Sequence, residues 1–192
     1  MSSFQVPVGI SNRHIHLSEE HIEALFGPGH QLTKTKDLSQ PGQFACEETV
    51  TLIGPKGKMD GVRVLGPARK ASQVELAATD TFKLGVKPPV KDSGDHEGTP
   101  GLEVVGPKGS VQMEAGVIIA ARHIHIHPDD AQKYNLKDGD HVQVRVGGPR
   151  GGIFDRVLIR VSPNYDLDLH VDTDEGNAFS LKNGELLEVV LD

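Results

Sequence analysis

His141–Val142–Gln143–Val144–Arg145–Val146 alternates polar and apolar residues, and Gly148–Pro149–Arg150–Gly151 separates it from a second apolar run, Ile153 to Val161. Period two places Val142, Val144 and Val146 on one face, the pattern of a half-buried strand. The Gly–Pro step is a turn signal, so the segment reads as two strands joined by a tight connection. The same pattern fills most of the chain. Gln5 to Ile10, Thr49 to Ile53, Val62 to Leu65, Val74 to Ala78, Leu102 to Val105, Val117 to Ile126 and Leu186 to Leu191 all read as strands. Many short strands with closely spaced turns point to barrels or sandwiches. Only two stretches read as helix. One opens at Ser18 and runs through Ile22, Leu25 and Phe26; the other opens at Pro128, with Asp129 and Asp130 suited to the positive end of a helix. The polar segment from Lys87 to Pro100 reads as a surface loop.

Composition narrows the function classes. The chain has 192 residues, 36% hydrophobic and 24% charged, which is ordinary for a globular protein. A net charge of -7 argues against nucleic acid or an anionic membrane as partner. The single cysteine, Cys46, excludes an internal disulfide framework and fits a reducing compartment. No apolar run approaches the roughly 18 residues of a membrane helix, and Met1 to Val8 is too short and polar for a signal peptide. These features predict a cytoplasmic protein. The unusual count is 10 histidines against two tyrosines and no tryptophan.

The histidines fall in an internal repeat. Arg13–His14–Ile15–His16 recurs as Arg122–His123–Ile124–His125, each after an apolar strand and before a short acidic helix. Gly54–Pro55–Lys56–Gly57 recurs as Gly148–Pro149–Arg150–Gly151, and each is followed by a strand running into Pro67 or Pro163. Two copies are too few for a solenoid and imply two similar β units.

On a strand, His-x-His sets both imidazoles on one face, about 6.5–7 Å apart along the chain. Two such rings can share one metal ion if a third ligand arrives from elsewhere. The internal alignment supplies it at nearly the same offset from each proline, Glu75 after Pro67 and His170 after Pro163. The candidate triads are therefore His14, His16, Glu75 and His123, His125, His170. Three nitrogen or oxygen ligands with an open position describe a catalytic zinc site better than a closed structural one, and other divalent metals also fit. An isolated His-x-His is more often an ordinary surface or core pair; duplication with a matching third ligand favours metal. His127 abuts Pro128 and reads as a capping or surface residue. His21, His30, His96 and His141 have no evident partners and are expected to face solvent.

Arg69 lies six residues before Glu75. An arginine near a cation site would repel the metal unless an anion sits between them, and guanidinium is a bidentate partner for phosphate. Arg13 and Arg122 have the opposite strand parity to the histidines and suit pairing with carboxylates. Cys46 reads as a small buried thiol rather than a nucleophile.

The motifs Ser11–Asn12–Arg13–His14–Ile15–His16–Leu17, Phe44–Ala45–Cys46–Glu47–Glu48, Gly66–Pro67–Ala68–Arg69, Ala121–Arg122–His123–Ile124–His125 and Asp174–Glu175–Gly176–Asn177–Ala178 resemble those of the PduL-type phosphate acyltransferases, the phosphate propanoyltransferases. The resemblance runs from about Val6 to Val190. It implies a mainly β fold of two pseudo-duplicated β-barrels with short capping helices, interleaved so that the N-terminal strand completes the barrel of the C-terminal half. The expected organisation is 3–12 with 121–190 as one barrel, 13–26 with 48–120 as the other, and 27–47 as a connecting insert. The resemblance further implies two Zn2+ per chain, held by His14, His16 and Glu75 and by His123, His125 and His170, with Arg69 as the phosphate-binding arginine. The implied reaction converts a short-chain acyl-CoA, propanoyl-CoA or acetyl-CoA, and inorganic phosphate to the acyl phosphate and CoA. Gly176 and His127 depart from the residues more usual in the family. Members sent into bacterial microcompartments carry an amphipathic N-terminal extension; the first strand here begins near Met1, so a microcompartment lumen is the alternative location.

The expected mechanism is direct, zinc-assisted attack of bound phosphate on the thioester, without a covalent enzyme intermediate. CoA's phosphates need basic partners, for which Lys34, Lys36, Lys56, Lys58 and Lys70 are available. Two rivals use the same ligands. A dinuclear metallohydrolase of a phosphoester or thioester would activate water and release acid. A metal-stabilised β-barrel binding module would close its coordination, and the turn Leu136–Lys137–Asp138–Gly139–Asp140 is like those of such modules. A homodimer is the default oligomer.

Overall fold

The computed structural model describes residues 3–191. Met1 and Ser2, part of the N-terminal stretch weighed as a signal peptide, lie outside them. Strands β1 (Ser3–Ser11) and β2 (His14–Ser18) lead into helix α1 (Glu19–Phe26). Next come β3 (Lys34–Asp37), β4 (Phe44–Gly54), β5 (Gly57–Arg69), β6 (Gln73–Glu75) and α2 (Ala78–Leu84). Then follow β7 (Val90–Lys91), β8 (Leu102–Val105), β9 (Ser110–Met113), β10 (Val117–Ala120), β11 (His123–Ile126) and α3 (Pro128–Lys133). The chain ends with β12 (His141–Val146), β13 (Gly152–Val161), β14 (Asp168–Asp172), α4 (Thr173–Phe179) and β15 (Leu186–Val190). No helix among the described residues is long and apolar enough to cross a membrane.

The protein is mainly β, with barrels and short helices. It divides into two compact units. One unit takes the residues up to Ser11, Ser39–Pro41 and the chain from Ala121 onward. Its strands close into a barrel in the order β1-β14-β11-β13-β12-β15. The other takes Asn12–Leu38 and Gly42–Ala120. Its sheet runs β7-β10-β6-β2-β5-β4-β8-β9, with β3 paired to β4.

The sequence repeat is a repeat of strand pairing. β2 runs parallel to β5 and antiparallel to β6; β11 runs parallel to β13 and antiparallel to β14. The preceding strands are exchanged. β1 comes just before β2 but pairs with β14, and β10 comes just before β11 but pairs with β6.

Alternation explains the cores. In β2 the histidines point one way, while Ile15 and Leu17 point the other and are fully buried with Leu52, Val64, Val74 and Val104. In β11 the same division buries Ile124 and Ile126 with Val144, Phe154, Ile159 and Leu169. Burying each aliphatic side chain of this size contributes roughly 1.5–3 kcal/mol, so each His-x-His is carried on a strand anchored by its opposite face.

α1 and α3 stand where the sequence predicts helix. Ser18 Oγ accepts from His21 N at 3.3 Å and caps α1, and His127 caps α3 with Nδ1 accepting from Asp129 N at 3.2 Å. α2 and α4 were not expected. Each is only seven residues long, and α4 contains Gly176, a poor helix former. Gly176 is there for space: an added Cβ would meet Ile10 at 3.0 Å. The run Val117 to Ile126 is not one strand; it breaks between Ala120 and His123 into β10 and β11. Segment 87–100 contains the short strand β7.

Candidate metal centres

Strand register brings together each triad that the repeat predicted. His14 lies opposite Glu75 across β2 and β6, and His123 lies opposite His170 across β11 and β14. In each cluster one ligand atom from every residue lies within 4.8 Å of the others.

In the first cluster, Glu75 Oε2 is 3.4 Å from His14 Nε2 and Glu75 Oε1 is 3.9 Å from His16 Nε2. The rings stand edge to face, 89° apart, with centroids separated by 5.1 Å. In the second, His123 Nε2 and His125 Nε2 are 3.0 Å apart. The His170 ring is centred 5.2 Å from that of His123 and 4.8 Å from that of His125. Tyr165 packs on His125 at 4.2 Å.

The donor sets fit a tetrahedral divalent cation. With bonds of 2.0–2.1 Å, two nitrogens on one tetrahedral zinc are about 3.3 Å apart, near the separation of the two Nε2 atoms. Tautomers fit too. His14 Nδ1 is 2.8 Å from Asn12 O and His123 Nδ1 is 2.8 Å from Ala121 O. A carbonyl can only accept, so both rings carry hydrogen on Nδ1 and present the Nε2 lone pair to the cluster. The equivalent carbonyl, two residues upstream, performs this role in both units.

The first cluster is electrostatically tuned. Burial is the largest influence on Glu75 and would raise its pKa, but the charge and hydrogen bond of His14, with His16 and Arg69, hold it well below the usual carboxylate range. Burial likewise opposes a charged His14, yet Glu75 and the Asn12 carbonyl bring its pKa above the ordinary value against the opposing charge of Arg69. Burial pushes His16 well below the usual imidazole range, reinforced by His14 and Arg69. An anionic carboxylate beside a neutral imidazole is a ready ligand set.

Arg69 ends β5, half-buried, and donates from Nη1 to Ser93 Oγ at 3.3 Å. Its charge acts on all three members of the first cluster. Arg13 and Arg122 lie outside the clusters and meet carboxylates, as their parity predicts: Arg13 binds Asp80 at 2.7 Å and Arg122 binds Glu175 at 2.7 Å. Cys46 is fully buried, and burial, aided by Glu48, pushes its thiol up to about 11. Lys34 and Lys58 form exposed ion pairs with Asp37 and Asp60.

Three histidines expected to face solvent are instead partnered. His21 Nδ1 meets Ser72 Oγ at 2.7 Å, His30 Nε2 meets Glu48 Oε1 at 2.8 Å, and His96 Nε2 meets Gln73 Oε1 at 3.0 Å. Their partners are distant in sequence, so spacing could not expose them. Gln73, Ser93 and Asp168, not among the site residues expected from the sequence, also touch the clusters. For Gln73 and Asp168 a signal existed: each sits two residues before a third ligand, on the same strand face.

Fold and clusters together define a mainly β, barrel-containing protein with two largely buried clusters of three residues that could each hold a metal ion. Residues 7–182 match the family described as phosphate propanoyltransferase. A relative of that name from Thermotoga maritima is 59% identical over 184 residues, covering 95% of this chain and 88% of that protein. Another from Rhodopseudomonas palustris is 53% identical over 186 residues, covering 97% and 82%, and one from Lachnoclostridium phytofermentans is 50% identical over 190 residues, covering 98% and 89%. The chain belongs to the phosphate propanoyltransferase family, a family of acyltransferase enzymes.

Proposed function

We propose that the protein is a phosphate acyltransferase that interconverts a short-chain acyl-CoA, propanoyl-CoA or acetyl-CoA, and inorganic phosphate with the acyl phosphate and CoA. The observation that carries this reading is the first cluster, His14, His16 and Glu75, with the cationic Arg69 acting on it, in a chain of this family. A cation set followed by a fixed guanidinium is suited to an anion that both can share.

His14, His16 and Glu75 hold one Zn2+, and His123, His125 and His170 hold the second. Zinc, when bound, supplies Lewis acidity for oxygen and sulfur atoms on which charge develops. Arg69 neutralises part of the phosphate charge and fixes its orientation, so that an anionic nucleophile can meet an anionic substrate. A phosphate oxygen attacks the thioester carbonyl carbon; the C–O bond forms, the C–S bond breaks, and CoA leaves as thiolate. His14, His16 and Glu75, seated on strands by their buried neighbours, keep their positions through this change. Cys46 has no part: it is buried and its thiol is held protonated at neutral pH.

Thiol release from propanoyl-CoA, measured with and without phosphate, tests the reading. The expected result is release that requires phosphate and yields acyl phosphate. Equal release without phosphate, yielding propanoate, would replace it with the metallohydrolase reading.

A further inference from the structure

The two triads share one more feature. Gln73 stands two residues before Glu75 and lies opposite His16. Asp168 stands two residues before His170 and lies opposite His125. The positions are equivalent in the repeat, and both side chains are buried, at 1% and 5% exposure.

Each also touches its own third ligand. Gln73 Nε2 donates to Glu75 Oε1 at 2.7 Å, and Asp168 Oδ2 is 2.9 Å from His170 Nε2. We propose that Gln73 and Asp168 are matched positioning residues, one for each metal centre, whose chemistry is set by the third ligand that each holds. This rests on the metal-centre reading above. A carboxylate ligand can only accept hydrogen bonds, so its holder must donate, and an amide does so. Asp168 meets Nε2 of His170, so Nε2 keeps the ring N–H, Nδ1 is the nitrogen left to bind metal, and the holder must accept, as a carboxylate does. The repeat changes the ligand from Glu to His, and the holder changes with it from Gln to Asp.

The surroundings fix both holders. Gln73 Oε1 accepts from Gly94 N at 2.7 Å. A backbone N–H can only donate, so the amide orientation is determined and its NH2 must face Glu75. The same NH2 reaches Ser93 Oγ at 2.8 Å, and Ser93 Oγ donates to Glu75 Oε1 at 3.2 Å. Glu75 Oε1 is thereby held by two donors, while Oε2 faces His14. Ser93 Oγ also accepts from Arg69, so Ser93 connects the metal ligand to the arginine and Gln73 donates to both Ser93 and Glu75. In the other unit, Asp168 packs against Gly9, where an added Cβ would come within 3.2 Å of Oδ2 and 3.3 Å of His170 Cδ2. Ser39 Oγ lies 3.3 Å from His170 Nε2 and completes the setting.

The test measures zinc affinity of the purified holoprotein by chelator competition, which needs no catalytic turnover. Gln73→Met removes the amide at nearly constant shape, and Gln73→Asn keeps an amide but withdraws it from Glu75. Each is expected to weaken one of the two bound ions by about 10–100-fold, the usual cost of losing such an outer contact, with the other ion unchanged. Asp168→Leu should weaken the other ion similarly, and Asp168→Asn less, because its carbonyl still accepts. The effects must also be local. Gln73→Met should still weaken the remaining ion in a His170→Ala background and should have no effect on the remaining ion in a Glu75→Ala background. General destabilisation would instead weaken the remaining ion in both backgrounds, and that result would overturn the proposal. Both Gln73 variants binding zinc like the parent, while Glu75→Ala loses one ion, would overturn the proposal and leave the metal centres standing. Glu75→Ala retaining both ions would overturn the metal-centre reading itself.

Discussion

Replacing Arg69 with alanine separates anion binding from metal binding. Arg69 is not among the clustered ligands, and it donates to Ser93 Oγ, so Arg69→Ala should fold and keep its metal. The loss should appear in the reaction. Two unit charges about 4 Å apart interact by about 4 kcal/mol at an effective dielectric constant of 20. Part of this already acts on bound phosphate and will appear as a higher phosphate requirement. Loss of a preorganised contact to developing charge costs about 3 kcal/mol, which is roughly a hundredfold or more in rate. Arg69→Lys should recover only part of this, because the ammonium keeps the charge but not the planar fork. The assay is the initial rate of thiol release against phosphate concentration, with metal content measured on the same samples. Unchanged turnover and unchanged apparent phosphate affinity in Arg69→Ala would exclude a phosphate-binding role and leave Arg69 a structural partner of Ser93.

His123→Ala should behave differently from Arg69→Ala, losing metal and activity together; elemental analysis beside the rate distinguishes them. Cys46→Ala should keep most activity and lose about 1 kcal/mol of stability; isolation of a turnover-competent acyl-thioester on Cys46 would contradict this. With its thiol raised from 9.0 to about 11, native Cys46 should carry roughly a hundredfold less thiolate at pH 8 than in the unfolded chain. Because the unfolded thiol ionises first, its contribution to stability should fall as pH rises through 9 toward 11; alkylation rates in native and denaturing buffer check the first point. Gly9→Ala should disturb the Asp168–His170 contact and lower zinc retention at that cluster, read by chelator competition.

Both triads were legible because the information was local or repeated. His-x-His announces its shared face by spacing, and a second copy aligned Glu75 with His170 before any pairing was known. Strand register then explains why the alignment worked, since His14 faces Glu75 as His123 faces His170. α1 and α3 carried capping and acidic signals at Ser18 and Pro128. α2 carries weaker ones: the residue before its first turn is Ala77, whose side chain cannot cap. α4 has the Asp172 and Glu175 capping box, a signal that Gly176 obscured. The exchange of β1 and β10 leaves no mark in composition or period, because either strand would look the same in either sheet. Gln73 and Asp168 were visible in position but not in role, which depends on whether the neighbouring third ligand accepts or donates. The solvent assignment of His96 failed because its partner, Gln73, is far along the chain.

Metal content of active protein purified without chelator shows whether the two clusters hold metal during turnover. The expected result is two zinc ions per chain, one remaining in Glu75→Ala and one remaining in His123→Ala. Fully active protein without bound transition metal would contradict it.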